Sequence, residues 1–288
     1  MPAYNCETTV EESILSIFNT NFESTIDELI VVNDCSTDGT LTILNKLKEK
    51  YPQLTILTNP RNKGGASTRN IAIENTRNEL LFCLDSDNVL AEGSIKKMKQ
   101  TLQEKKADIV VFQEIHFFQT TTDKITHTWR FDNVRWDIAY MLSHSHNPPA
   151  SGNYMFTKSS WLKANGYPEF AKALDTWGFG VRQLFSGAEM VVCEDSFYYH
   201  RHGHESYWKR ENNKGKTSLT ALQVLIPYFD FIKDSSINYI MSKSNRYNWF
   251  ENIDKIPIRI LKETKKIPND ISRSNIGLLD KLKIKIGI

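Results

Sequence analysis

Leu80-Leu81-Phe82-Cys83-Leu84-Asp85-Ser86-Asp87-Asn88 is the stretch on which the reading of the fold turns. Five consecutive apolar residues predict a strand buried on both faces, as in a parallel sheet covered by helices. Two carboxylates, one residue apart, follow where that strand ends. Open α/β sheets bind ligands outside the carboxyl ends of their strands. Paired acids at such an exit suit a hard divalent cation and, through it, a diphosphate. Asp, Ser and Asn also favour turns, so a solvated turn is the competing reading. The flanking sequence has to decide between them.

Upstream, Val10, Ile14, Ile17, Phe18 and Phe22 form a helical stripe. Glu28 to Asn33 reads as a strand that runs into Asp34-Cys35-Ser36-Thr37-Asp38-Gly39. Thr37 or Asp38 can cap the next helix, with Leu41, Leu44 and Leu47 on its buried face. Leu54 to Leu57 is a second strand, followed by the loop Asn59-Pro60-Arg61-Asn62-Lys63-Gly64-Gly65 and a short helix from Ala66 to Asn75. Beyond the acids, Ile95, Met98 and Leu102 mark a helix, and Asp108 to Phe112 a further strand. Strand and helix therefore alternate through about residue 113, which predicts a Rossmann-like, mainly parallel sheet with helices on both faces. The loops after the strands would bring Asp34, Lys63 and the Asp85/Asp87 pair to one edge, where a nucleotide would bind.

Past residue 113 the pattern weakens. Residues 114 to 150 are polar and aromatic. Ser151 to Thr157 reads as a strand, Ser159 to Asn165 as a helix stopped by Gly166, and Val181 to Phe185 as a helix ending at Gly187. Met190 to Cys193 is a strand, followed by His200, His202 and His204. The segment from about 212 to 250 looks helical.

The chain has 288 residues, 40% hydrophobic and 24% charged, with a net charge of +2, so no global field argues for a nucleic-acid partner. Its four cysteines form no C-x-x-C pair, which argues against a zinc ribbon and fits a reducing, cytoplasmic setting. There is neither a signal-peptide pattern nor an apolar run of about 18 residues, so no spanning helix is expected. Residues 255 to 288 carry nine Lys/Arg against three Asp/Glu, interleaved with Leu and Ile. That tail reads as a basic amphipathic element in peripheral contact with an anionic inner membrane face, or as a solvated terminal helix or strand.

These residues together resemble the family 2 glycosyltransferases, inverting enzymes of the GT-A fold. Four motifs match in order: Pro2-Ala3-Tyr4-Asn5 with Glu11; Ile30 to Thr40, where Asn33 and Cys35 depart in part; Asn62 to Asn70; and Leu84-Asp85-Ser86-Asp87 as the D-x-D. The match covers roughly residues 1 to 205. It implies a GT-A domain over 1–210, with a nucleotide half about 1–113 and an acceptor half about 114–210, then a helical C-terminal extension over 211–288.

The resemblance also implies roles. Pro2, Tyr4, Glu7, Asp34, Lys63, Asp85 and Ser86 would bind the nucleotide, with Tyr4 and Glu7 at the nucleoside and Asp34 on the base. Lys63 and Arg69 would neutralise phosphate, unless Arg69 serves packing or an ion pair. Asp87, with His202 favoured among the three histidines, would hold Mn²⁺ or Mg²⁺. The donor would be a nucleotide sugar, most often on UDP, and the acceptor a saccharide or lipid-linked hydroxyl, in surface polysaccharide synthesis.

An inverting enzyme needs one general base, which in the family is the Asp of a Glu-Asp pair. The spacing to Arg182 and Gly187 puts that pair on Asp175-Thr176, so the catalytic position carries Thr. Asp175 is the expected base, with Glu194 or Asp195 as fallback, and an inactive homologue is the alternative. A nucleotidyltransferase would want a Gly-rich loop and Lys after its first strand, which residues 1 to 9 lack. Trp177, Tyr207 and Trp208 are candidates for stacking on sugar rings, or half-buried core. The family's first strand precedes the Pro-x-Tyr-Asn motif, so the chain as given is expected to be less stable than one extended by about ten apolar-rich residues.

Overall fold

The computed structural model describes residues 1–20, 22–23, 27–143, 152–203, 207–213 and 216–234. The chain opens with β1 (Pro2–Ala3), α1 (Val10–Phe18), β2 (Leu29–Asn33), α2 (Thr40–Lys50), β3 (Leu54–Thr58) and α3 (Gly65–Glu74). β1, β2 and β3 pair in parallel, in that order. β2 is buried at all five positions, as a strand covered on both faces must be. Leu44 and Leu47 of α2, with Val10 and Ile14 of α1, fill the space over it.

A second sheet begins with β4 (Leu80–Cys83) and β5 (Val89–Leu90). After α4 (Ser94–Lys105) come β6 (Ile109–Phe118), β7 (Ile125–Arg130), α5 (Ile138–Ser143), β8 (Tyr154–Thr157) and α6 (Lys158–Lys163). A 3-10 segment (Glu169–Leu174), α7 (Asp175–Phe185) and β9 (Met190–Arg201) complete it. The strand order is β4-β8-β6-β9-β5, with β7 paired to β6. Only β6 and β9 run parallel here, and the other pairs are antiparallel. The parallel pattern expected through about residue 113 thus holds in the first sheet, whereas β4 and β6, which it also covers, lie in the second, mixed sheet.

β4 is not buried on both faces. Leu81 and Cys83 are buried, while Leu80 and Phe82 are half-buried and line a cavity of about 150 Å³ with Leu29 and Ile30. Its carboxyl end nevertheless delivers Asp85 and Asp87 to the sheet edge. The helix expected from Val181 to Phe185 begins at Asp175 and takes in the Gly-rich run up to Gly180. A Cβ on Gly178 would lie 2.9 Å from Pro168 and 3.2 Å from Val224, so glycine is what lets α7 pack this closely. Val224 lies on α9 (Lys216–Leu225), which follows α8 (Tyr207–Asn213) and leads to a 3-10 turn (Ile226–Phe231). α8 thus begins before the expected boundary at residue 211, and the expected extension beyond residue 234 lies outside the described residues. The basic tail, and with it the expected membrane contact, lies outside the described residues, as does His204. No helix among the described residues is long and apolar enough to cross a membrane.

Candidate donor and catalytic site

The site is assembled at the carboxyl ends of β2 and β4. Asp34 follows β2 and is 3% exposed. Its Oδ1 accepts from Asn59 Nδ2 (2.7 Å) and the Lys63 amide (2.9 Å), and its Oδ2 accepts from the Gly64 amide (2.8 Å). Three of a carboxylate's roughly four acceptor positions are thus occupied within the protein. Asp34 stitches the 59–64 loop to the sheet and so presents Lys63, whose side chain is exposed. Gly64, at φ +85°, supplies the turn into α3.

The opening loop is tied down in the same way. Glu7 Oε2 accepts from the Gly39 amide (2.6 Å) at the start of α2, and Asn5 Oδ1 accepts from the Thr37 amide (2.8 Å). Glu7 therefore binds a helix N-terminus, where a carboxylate is favoured. Pro2 pairs in β1 opposite Val32. Tyr4 is 49% exposed and free of such duties, so its ring can meet a ligand. Thr9 Oγ1 donates to the Ser86 carbonyl (3.0 Å), which fastens the acid loop to this segment.

Arg69 occupies the centre. Its Nη2 donates to Asp85 Oδ1 at 2.5 Å and its Nη1 to Asp175 Oδ2 at 2.6 Å. Burial opposes the guanidinium's charge, but Asp175 and then Asp85 outweigh it and hold Arg69 well above its usual value. Burial pushes the Asp175 carboxyl up, while Arg69 pulls it back. Asp175 Oδ1 also accepts from the Thr176 amide (2.9 Å). A Cβ on Gly65 would stand 2.6 Å from Arg69 Nη1 and 2.9 Å from Asp175 Oδ2, so only glycine fits beside the pair. Arg69 thus acts through an ion pair rather than lying open to a phosphate.

Asp85 receives its own support from Asn153, whose Oδ1 accepts the Asp85 amide (2.6 Å). Asp87 is half-buried, and burial, then the charge of Asp85, raise its carboxyl to about 7. Arg201 Nε donates to the Asp87 carbonyl (3.1 Å). His202 Nε2 sits 2.7 Å from Thr126 Oγ1, and its ring meets that of His127. Among the described residues no group of three or more His, Cys, Asp or Glu forms a metal cluster. Trp177 is buried core and Tyr207 is exposed. Glu194 and Asp195 are exposed on β9, and Lys105 pairs with Glu194, away from the Arg69 network.

Sequence reasoning missed Asn59, Asn153 and Arg201. Asn153 lies 68 residues from the amide it holds, and no local pattern announces such a pairing.

Against this geometry, the sequence pattern of Glycosyl transferase family 2 matches residues 1–164. The chain belongs to that family. Among its relatives, poly(ribitol-phosphate) beta-N-acetylglucosaminyltransferase TarS of Staphylococcus aureus is 25% identical over 243 residues, 78% of this chain and 40% of TarS. Hyaluronan synthase of Pasteurella multocida is 34% identical over 293 residues, 96% of this chain and 28% of the synthase. The chain thus spans less than half the length of these relatives. A crystal structure of S. aureus TarS 1–349 in complex with UDP superposes with a TM-score of 0.55 at 20% identity, covering 78% of this chain and 64% of that one. The mannosyltransferase PcManGT of Pyrobaculum calidifontis, in complex with GDP-Man and Mn²⁺, superposes with a TM-score of 0.58 at 16% identity, over 81% and 63%. The family 2 chain has the GT-A fold.

Proposed function

We propose that this family 2 chain transfers a sugar, with inversion, from a UDP-sugar to a hydroxyl of a saccharide or lipid-linked acceptor, in surface polysaccharide synthesis. The observation that carries the reading is the Asp85–Arg69–Asp175 chain of ion pairs. It holds the acid at the sheet edge and the candidate base one guanidinium apart.

Tyr4 stacks on the base, and Lys63 faces the phosphates. Asp34 and Glu7 act by fixing the loops that carry those two. Asp85 and Asp87 fit a hard cation, since both offer carboxylate oxygens, and a cation there would offset the burial and the Asp85 charge that raise the Asp87 carboxyl. Mn²⁺ or Mg²⁺ held there would supply that charge to the diphosphate as it leaves. Asp175, made more basic by burial, takes the proton of the acceptor hydroxyl. The acceptor oxygen then bonds to the anomeric carbon as the bond to the diphosphate breaks, with the electron pair leaving on the phosphate oxygen.

A second reading is a nucleotide-binding homologue without turnover. It draws on the engagement of both Asp175 oxygens and on Thr176 at the neighbouring position. Purified chain, Mn²⁺ and a set of nucleotide sugars separate the two. Asp87→Asn is expected to lose metal-dependent donor turnover. Asp175→Asn is expected to keep UDP affinity and lose transfer by roughly 10²–10⁴-fold. Normal transfer by Asp175→Asn refutes the base, and no turnover by the wild type with any donor, despite UDP binding, favours the second reading.

A further inference from the structure

The ribbon of β6 and β7 carries two sets of rings on opposite faces. His116, Phe197 and Tyr199 stack on one face, where Arg130 pairs with Glu114. On the other face Phe117 lies under His127 (centroids 4.2 Å, 9° between planes) and against Trp129 (4.7 Å). β7 is exposed at all six positions, and Trp129 is 43% exposed. An exposed indole beside a buried phenyl base leaves apolar ring surface in water on an edge strand.

This second face leads towards the candidate site. Phe117 touches His200 (4.9 Å), and His200 meets Tyr198 (6.3 Å). His127 of the same face meets His202 (5.4 Å), and Arg201, next in the chain, donates from Nε to the Asp87 carbonyl (3.1 Å). A line of contacts through the end of β9 therefore runs from exposed Trp129 to the D-x-D loop. The face offers flat rings with N–H groups at their rims, and its named members include no Lys or Arg. An indole face suits the C–H face of a pyranose, while its N–H reaches a hydroxyl. A polyol-phosphate chain has no ring to stack and would call for cations.

Resting on the transferase reading above, we infer that the Phe117–His127–Trp129 face is the acceptor subsite and takes the pyranose rings of a glycan chain rather than a polyol phosphate. The test is binding without donor. Wild type, Trp129→Ala, Trp129→Phe and Thr128→Ala, the last on the opposite face, are applied to an array of pyranose oligosaccharides and to poly(ribitol phosphate). UDP affinity with Mn²⁺ is measured on the same samples. Wild type and Thr128→Ala should bind at least one pyranose glycan. Trp129→Ala should weaken that binding roughly tenfold or more, Trp129→Phe should keep most of it, and UDP affinity should not move. Equal glycan binding by wild type and Trp129→Ala, binding of poly(ribitol phosphate) alone, or no glycan binding at all overturns the inference. Any of these with UDP affinity intact leaves the donor reading standing, whereas loss of UDP binding in the wild type sinks the donor reading.

Discussion

Arg69 shows how one residue type can decide a site. It is 9% exposed and neutralises a nearly buried carboxylate, Asp175, and a half-buried one, Asp85. Removing a buried ion-pair partner is costly because the other charges stay behind; the usual penalty is about 3–5 kcal/mol. Arg69→Met is therefore expected to lower the urea midpoint strongly. Arg69→Met/Asp175→Asn should recover part of the loss, since fewer charges are stranded. A double variant no better than the single one would mean that the pair does not couple. The sequence alone leaves Arg69 between phosphate binding and an ion pair, because a guanidinium suits both. Its partner Asp175 is 106 residues away, and only the fold shows which role it takes.

At the scale of elements, α3 and the loop before it do the positioning. Gly65→Ala gains helix propensity, worth up to about 1 kcal/mol, but puts a methyl 2.6 Å from Arg69 Nη1. Overpacking of this kind costs about 1–3 kcal/mol, so a net loss of stability is expected by denaturant titration. Asp34→Ala strands three donors, and amide exchange at Lys63 and Gly64 should accelerate; unchanged protection there would contradict the stitching role. The ends of β2 and β4 were legible because apolar runs stop abruptly at acids. β9 was read as four residues and has twelve, since Glu194 and Asp195 interrupt the apolar run and Asp195 takes φ +49°. β7 carries no burial pattern at all, being exposed on both faces, so no periodicity could reveal it.

For the whole molecule, Asp87 links proton, metal and stability. Its carboxyl lies near 7 when folded, against about 3.9 in an unfolded chain. Between those values the folded state holds the extra proton. This group's contribution to stability is thus present at low pH and lost as pH climbs towards 7. Metal-free wild type should therefore lose Tm relative to Asp87→Asn as pH rises from about 4.5 to about 7.5. Mn²⁺ affinity should rise over the same range, because the cation competes with that proton. Parallel pH curves for the two proteins would refute the assignment.

Next to Arg69, Asn70 accepts from Trp161 Nε1 and the Tyr167 amide and donates to the Tyr167 carbonyl. Two neighbouring side chains of one helix thus bolt the first half of the chain to the second. Anyone building chimaeras to change the specificity of this family 2 chain should move the 161–167 turn and α7 as a single cassette with their counterparts on α3. A splice placed between them would separate lock from key, however well each half folds.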